Sequence, residues 1–304
     1  MGEWQIEKEL DIMKNNFNNA REIRRQIFID TKKQYETNKQ LIEGIEFSKK
    51  NQKVIREEDE IENPKEEISS VGSVEIVISK KRSLEAASAY KDYKVCVHNF
   101  ASATNPGGGV ERGSSAQEEA LCRCSTLFPC ISAQETRTEF HEKHRSMLKN
   151  KVLDARYNDD CIYTPDVIVF KSDEDTPKLL AEEMWYKVDI ISCAAPNLRE
   201  KPSNAMNPYS GTEKLVINSS ELLNLHMKRL RRILDIAKLN GAQVVILGAF
   251  GCGAFQNSPE IVANAMAHVI PDYRKYFKVI EFAIYCPPKD TTNYEVFSHR
   301  LKNL

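Results

Sequence analysis

The segment NPGGGVERGSSAQEE, residues 105–119, combines a glycine run with a pair of carboxylates. Gly107, Gly108 and Gly109 are followed by seven residues and then by Gln-Glu-Glu. Three successive glycines cost conformational entropy, which indicates that their backbone comes very close to another group. Adjacent carboxylates can supply a general acid and a second group that orients a substrate. The pattern therefore predicts a site in which bare backbone lies beside a catalytic carboxylate.

A second glycine loop, AFGCGAF at residues 249–255, has the same setting as the first. Each loop follows a β-branched run, KVCVHNF (94–100) or AQVVILG (242–248), and each precedes a helical stretch. Glycine loops at the carboxyl ends of strands present backbone N–H groups to phosphate oxygens. Neither loop has the Lys-Ser/Thr of a P-loop or the G-x-G-x-x-G spacing, so both fingerprints are excluded. A single GGG is more often a tight turn, but two loops on one sheet favour a ligand with more than one phosphate.

The two carboxylates are predicted to lie in the first turn of a helix. Ser114 or Ser115 can cap this helix, which places Gln117, Glu118 and Glu119 beside the glycines. Acids in a first turn are also favoured by the helix dipole alone, which is the purely structural explanation. Successive helical residues point about 100° apart, so we expect only one of the two carboxylates to face the site squarely.

The elements that position this site follow from the apolar pattern. Residues 3–50 show helical spacing, and the acidic, proline-containing stretch 56–70 is typical of a linker. From residue 71, short apolar strands alternate with helices, which predicts an α/β fold with three layers, α/β/α, around a mixed sheet. We therefore divide the chain into an N-terminal helical extension with its acidic linker (1–70) and a catalytic α/β domain (71–304). The predicted strands cover 73–79, 94–100, 166–170, 188–194, 242–250 and 279–286, and the predicted helices cover 81–90, 115–130, 212–239 and 259–277.

Composition argues against several classes of partner. The formal net charge is -1, so no global field favours nucleic acid or an anionic membrane. No stretch has the apolar length of a membrane span, and MGEWQIEKEL lacks the apolar core of a signal peptide. The basic run KRLRR (228–232) is more often a solvated helix face than a nucleic-acid contact.

The eight cysteines do not form a pattern typical of a metal site. Cys122, Cys124 and Cys130 lack the spacing of a zinc site, so we expect no metal. We expect the thiols to be reduced and the protein to be intracellular and cytoplasmic.

These residues together resemble a known family. GGG followed after a short gap by QEE is similar to the signature of poly(ADP-ribose) glycohydrolases. The context VHNFASATNPGGG…AQEEALCRCSTLFPC resembles the bacterial, or microbial-type, branch, and NAREIRRQIFIDTKKQYE, YTPDVIVFKSD, VDIISCAAPNL and VILGAFGCGAFQNSP extend the match over about residues 10–300. The resemblance implies a macrodomain fold that binds ADP-ribose, with the diphosphate held between the two glycine loops. It also implies hydrolysis of the ribose–ribose O-glycosidic bond of poly(ADP-ribose), with ADP-ribose as product and no cofactor.

The resemblance also assigns roles to individual residues. Glu119 matches the catalytic acid, and Glu118 matches the neighbour that holds the ribose hydroxyls of the substrate. Asn105 is a candidate partner of a ribose hydroxyl, and Phe255 matches an aromatic near the ribose and adenine end. The segment Val110–Arg112 departs from the family, whose bacterial members tend to have apolar and small residues there. The expected substrate-binding set is Asn99, Asn105, Gly107, Gly108, Gly109, Val110, Gln117, Gly251, Cys252, Gly253, Ala254 and Phe255.

Two other activities stay open at this point. A mono-ADP-ribosyl hydrolase would remove single ADP-ribose groups from protein or nucleic acid, and a non-catalytic macrodomain would only bind ADP-ribose. The intact QEE favours catalysis over binding alone. We expect the partners to be poly(ADP-ribose) or ADP-ribosylated macromolecules, with no membrane, and the protein to be a monomer. His98, near the end of a predicted strand, is expected to be a hydrogen-bonded structural histidine.

Overall fold

One mixed β-sheet forms the centre of the molecule. The computed structural model describes residues 2–61 and 74–304, with side chains from residue 19 onward. Within these residues the strands are β1 (Lys53–Ile55), β2 (Glu75–Ser79), β3 (Val95–Phe100), β4 (Cys161–Val169), β5 (Tyr186–Cys193), β6 (Val244–Leu247) and β7 (Val279–Ala283). Their order across the sheet is β1-β4-β5-β3-β6-β7-β2. β4 runs antiparallel to both β1 and β5, whereas the strands from β5 to β2 are parallel, so their carboxyl ends share one edge.

Helices cover both faces of this sheet, as the three-layer prediction requires. β3 illustrates why, because Cys96 points into one core while Val95 and Val97 point into the other, as alternating strand side chains must. The described helices are α1 (Gly2–Thr37), α2 (Lys39–Asn51), α3 (Ser83–Ala87), α4 (Gln117–Cys124), α5 (Leu127–Ile131), α6 (Gln134–Thr136), α7 (Lys143–Lys149), α8 (Ser219–Leu239), α9 (Pro259–Tyr273) and α10 (Thr292–Leu301). The first core also receives α8, α9 and α10, and the second receives α1, α3, α4 and α5. None of the described helices combines the length and the apolar character needed to cross a membrane.

Most predicted elements are present, and the differences have local causes. The predicted strand 166–170 is the second half of β4, whose earlier half is interrupted by a bulge between Thr164 and Val167. At this bulge Asp166 has φ 53°, and the strand continues through Pro165 and Asp166. The predicted helix 115–130 is two helices, because Ser125 forms a β-bridge with Val169 between α4 and α5. The helix predicted from 212 begins only at Ser219.

The N-terminal section is attached to the sheet. The predicted helices are α1 and α2, and β1 adds a strand to the sheet edge by pairing with β4. The first residues of the predicted acidic linker form a turn in which the Arg56 amide donates to Asp59 Oδ2 at 2.8 Å. Residues 62–70 of that linker lie outside the described residues.

The basic run KRLRR lies on α8, and its charges are used within the protein. Arg229 is fully buried and donates to Asp159 Oδ1 at 2.8 Å and to the Ala194 carbonyl at 2.8 Å. Lys228 pairs with the same aspartate at 2.6 Å, and Arg231 pairs with Asp272 at 2.7 Å. The run therefore holds α8 to its neighbours, in part as a buried network where a solvated face was expected.

Candidate active site

The two glycine loops lie side by side at the carboxyl edge of the sheet. β3 and β6 are neighbouring parallel strands, with Val95 opposite Val244 and Val97 opposite Ile246. The loop after β3 leads to α4, and the loop after β6 leads to α9. Because both strands end at the same edge, the two loops face a common space, as the sequence predicted.

The first turn of α4 carries the carboxylates, but its predicted caps are wrong. The helix begins at Gln117 after Ala116, which makes no side-chain cap. Ser115 is exposed, and the Ser114 side chain faces the α-carbon of Gly109. The two carboxylates of this turn reach back to the loop after β3, where they accept from the amides of Ser102 and Gly109.

Glu118 is buried and has both carboxylate oxygens engaged. It is 3% exposed, its Oε2 accepts from the Ser102 amide at 2.9 Å, and its Oε1 accepts from Asn99 Nδ2 at 3.3 Å. Burial, and then the charge of Glu119, raises the pKa of the Glu118 carboxyl to about 8, against the lowering effect of these hydrogen bonds. The Glu118 carboxyl therefore holds a proton near neutral pH.

Glu119 is also buried but keeps one oxygen available. Its Oε1 accepts from the Gly109 amide at 2.8 Å, and the side chain is 7% exposed. Among the described residues, no group donates to its Oε2, and that atom is not one of the fully buried unpartnered atoms. Glu119 is thus fixed by one oxygen and free to meet a ligand with the other.

Gly108 explains why the loop lacks side chains at this point. A Cβ on Gly108 would lie 2.6 Å from Glu119 Oε1 and 3.2 Å from Glu118 Oε2, and the residue has φ 55°. Both carboxylates therefore converge on one glycine, where the sequence had suggested that only one would face the site. The glycine run gives room first to the protein's own carboxylates, a use that its pattern alone did not reveal.

The pKa of Glu118 gives a stability prediction. The pKa of this carboxyl is about 8 in the folded protein and ordinarily 4.5. Between these two pH values the folded state therefore binds more protons than the unfolded state. We therefore expect the free energy of unfolding to fall as pH rises from 4.5 to 8, by roughly 2 to 5 kcal/mol. Urea unfolding between pH 5 and 8 checks this, and Glu118→Gln should flatten the profile. Glu260→Gln is the control, because hydrogen bonding lowers the pKa of Glu260 below that range.

Four further predicted residues lie near the carboxylates, and the polar side chains among them form hydrogen bonds within the protein. Asn99 also donates to Ser192 Oγ at 2.9 Å, and Asn105 Nδ2 donates to the Gly108 carbonyl. Val110 is 1% exposed and packs in the core, so only its backbone faces the loop. The Gln117 amide accepts from the Phe100 amide at 2.9 Å and donates to the His98 carbonyl at 2.8 Å, which ties α4 to the end of β3.

The second loop presents its tip to solvent. Gly253 and Ala254 are exposed, whereas Gly251, Cys252 and Phe255 are half-buried. The Phe255 ring lies 5.3 Å below the guanidinium of Arg199 and 6.2 Å from the Tyr157 ring. The exposed backbone and the flanking aromatic are consistent with the predicted phosphate and ribose contacts.

Asn257 holds this loop in place, and the sequence analysis missed it. It is 2% exposed, and its Nδ2 donates to the Pro196 carbonyl at 2.7 Å and to the Gly251 carbonyl at 3.1 Å. Its Oδ1 lies 2.9 Å from His226 Nε2, and burial lowers the pKa of His226 to about 4. The neutral Nε2–H tautomer therefore donates to Asn257 and fixes which side of its amide faces the carbonyls.

Asn257→Asp should disrupt the second loop. The substitution puts a buried carboxylate oxygen against two carbonyl oxygens in place of the donor. We expect at least about tenfold weaker ADP-ribose binding, measured by calorimetry, because each lost buried hydrogen bond costs about 1–3 kcal/mol. Asn240→Asp is the matched control, since Asn240 Nδ2 also donates to a backbone carbonyl, that of Ile236 at 2.8 Å, but at the end of α8.

His98 does not fit the expected structural histidine. It is 2% exposed, and neither ring nitrogen has a hydrogen-bond partner within the described residues. Its ring lies between Phe100 and Phe250, at centroid distances of 5.1 and 4.5 Å. Burial lowers its pKa to about 3, so the ring packs as a neutral aromatic group. Cys122, Cys124 and Cys130 are free thiols buried in the cores.

Comparison with known proteins identifies the family. A model of the microbial-type poly(ADP-ribose) glycohydrolase (PARG) catalytic domain matches residues 20–172, half of the chain. The chain belongs to this family. The matched range contains the GGG loop, both carboxylates and the helix α1 from residue 20 onward.

Solved structures of bacterial PARGs have the same fold. The PARG from Thermomonospora curvata is 25% identical, with a TM-score of 0.74 over 91% of this chain and 98% of that chain. Its complex with the inhibitor ADP-HPD matches with a TM-score of 0.72 at the same identity and coverage. The PARG from Deinococcus radiodurans in complex with ADP-ribose is 25% identical, with a TM-score of 0.69 over 86% of this chain and 97% of that chain. A search of curated proteins found no match.

Proposed function

We propose that this chain is a poly(ADP-ribose) glycohydrolase, which hydrolyses the ribose–ribose O-glycosidic bond of the polymer and releases ADP-ribose. The observation that carries the proposal is Glu119, held through Oε1 by the GGG loop with Oε2 free. Membership of the microbial-type PARG family supports the same reaction. The fold is accordingly assigned to the macrodomains.

The ligand in this proposal is ADP-ribose, lying between the two glycine loops. Gly107, Gly108 and Gly109 would approach the diphosphate and the scissile ribose, while residues 251–254 would hold the other side of the diphosphate. The adjacency of β3 and β6 supports this arrangement, as do the ADP-HPD and ADP-ribose bound in the Thermomonospora and Deinococcus enzymes. Phe255 would pack beside the ribose at the adenine end, and Asn99, Asn105, Val110, Gln117 and Cys252 would complete the surroundings of the ligand.

Glu119 acts first as general acid in the proposed mechanism. The bond between the anomeric carbon and the oxygen of the departing ribose breaks, and Glu119 gives that oxygen a proton. The oxocarbenium-like ribose that remains is stabilised by the substrate's own diphosphate. Glu119 then takes a proton from the attacking water, which restores the acid. Glu118 would hold the ribose hydroxyls, and its raised pKa keeps its own carboxyl protonated near neutral pH.

The proposal extends to the setting of the protein. We propose that it is a monomer. We place it in the cytoplasm, because its eight cysteines are free thiols, as is usual in a reducing compartment. The division at residue 70 marks an extension and a catalytic domain along the chain. Since β1 pairs with β4, the two sections would fold as one unit.

The nearest alternatives are a mono-ADP-ribosyl hydrolase and a non-catalytic ADP-ribose reader. Parallel reactions with purified poly(ADP-ribose) and with a mono-ADP-ribosylated protein separate them, with free ADP-ribose measured by chromatography. We expect faster release from the polymer. Release from the mono-modified protein alone would favour the first alternative, and binding of ADP-ribose without release from either substrate would favour the second.

A further inference from the structure

Residues 110–116 connect the glycine run to the carboxylates, and arginines hold their backbone. The connector makes a short turn at Val110–Arg112, and the Ser114 amide donates back to the Gly109 carbonyl at 3.1 Å. Three consecutive carbonyls each accept from an arginine side chain. Arg21 Nε donates to the Arg112 carbonyl at 2.6 Å, Arg24 Nε to the Gly113 carbonyl at 2.7 Å and Arg123 Nη1 to the Ser114 carbonyl at 2.6 Å.

Two of these arginines belong to α1, which is distant from the connector in sequence. Arg21 and Arg24 are three residues apart, so they lie on one face of α1, and that face meets the connector. Gly113 shows how close the contact is, because it has φ 72° and a Cβ there would collide with the Arg21 carbonyl. The connector therefore rests directly on the backbone of α1.

α1 is itself fixed to the body of the protein. The buried Lys171 donates to Asp30 Oδ2 at 2.7 Å and to Thr31 Oγ1 at 2.8 Å. Phe28 is 1% exposed and packs edge-on against Phe128 at 5.0 Å. Phe128 is also the side chain that a Cβ on Gly107 would meet, at 2.7 Å. α1 therefore contacts the loop at both ends of the glycine run, through Phe128 beside Gly107 and through the connector after Gly109.

We propose that α1 positions the glycine run and the connector, with Arg21 and Arg24 as positioning residues for Glu119. They touch neither carboxylate, and they act by fixing the connector between Gly109, which binds Glu119 Oε1, and the start of α4. The inference rests on the proposed function, because it concerns the same reaction. It also gives a role to the segment Val110–Arg112, whose backbone is the part that α1 holds.

The double variant Arg21→Met, Arg24→Met tests this in the full chain. Methionine keeps an apolar stem but removes the donors, so the connector loses two of its three arginine bonds. We expect kcat for ADP-ribose release from poly(ADP-ribose) to fall about 10- to 100-fold, since small displacements of catalytic groups are costly. The Kd for ADP-ribose should change much less than kcat, because the second loop is untouched. The double variant Arg21→Lys, Arg24→Lys restores a donor at each position and should recover part of kcat.

Arg25→Met is the matched control. Arg25 lies on the same helix, and among the described residues its ion-pair partner is Glu22, at 2.9 Å, so its loss should leave kcat unchanged. A wild-type kcat in the Arg21→Met, Arg24→Met variant would overturn the inference. A combined loss of kcat, ADP-ribose affinity and Tm, with no recovery in the Arg21→Lys, Arg24→Lys variant, would also overturn the inference, because this pattern indicates a purely structural effect. A wild-type chain that releases no ADP-ribose would instead overturn the proposed function itself.

Discussion

Glu119→Gln should reduce the release of ADP-ribose from poly(ADP-ribose) by about 10²- to 10⁴-fold, the range typical of a lost general acid. Glutamine keeps an oxygen that can accept from the Gly109 amide, so the loop should keep its shape. What is lost is the ability to give a proton to the departing ribose and to take one from water. Initial rates with purified polymer measure the loss, and calorimetry with ADP-ribose should give a Kd near the wild-type value.

Glu118→Gln is the comparison that separates the two carboxylates. Both oxygens of Glu118 already accept hydrogen bonds from the protein, from the Ser102 amide and from Asn99. We therefore expect a smaller loss of activity, accompanied by weaker substrate binding. If Glu119→Gln kept wild-type turnover while Glu118→Gln lost it, the roles given to the two residues would have to be exchanged.

Gly108→Ala should be nearly as damaging, although it removes no catalytic group. The added methyl would lie 2.6 Å from Glu119 Oε1 and 3.2 Å from Glu118 Oε2, so one or both carboxylates must move. We expect kcat/KM to fall about 100-fold, since a displacement of about 1 Å can have that effect. Steady-state kinetics on poly(ADP-ribose) measure it.

Gly241→Ala is the control for backbone strain in this experiment. Gly241 has φ 73°, in the same left-handed region, but a Cβ there meets nothing within 4 Å. Through backbone strain, Gly108→Ala and Gly241→Ala should each lower the free energy of unfolding by about 1–2 kcal/mol, and only Gly108→Ala should lower activity. Equal activity in the two variants would show that the carboxylates do not depend on a bare Gly108.

The sequence was sufficient for the layout of the site because that layout depends on local patterns. The apolar runs at 94–100 and 242–248 became β3 and β6, and their pairing brought two glycine loops together. Strand neighbours cannot be assigned from one sequence, but parallel strands of one sheet must end at a common edge. The family resemblance supplied the rest of the functional prediction, including the choice between the two carboxylates.

What the sequence could not provide depends on contacts between distant segments. In the sequence Asn257 is an ordinary polar loop residue. Its role depends on His226 of α8 and on the Pro196 carbonyl, which only the fold brings next to it. Arg21 and Arg24 read as exposed helix residues, and their partners are 91 and 89 residues away. The pKa of Glu118 likewise depends on burial, which no local pattern reports.

The most direct test of the proposed reaction is the yield of free ADP-ribose when the purified chain acts on poly(ADP-ribose). Chromatography should show ADP-ribose increasing with time as the polymer shortens, with little release in a parallel reaction with Glu119→Gln. A polymer of unchanged length that nevertheless binds the wild-type chain would contradict hydrolysis, and equal release by both proteins would contradict the catalytic role of Glu119.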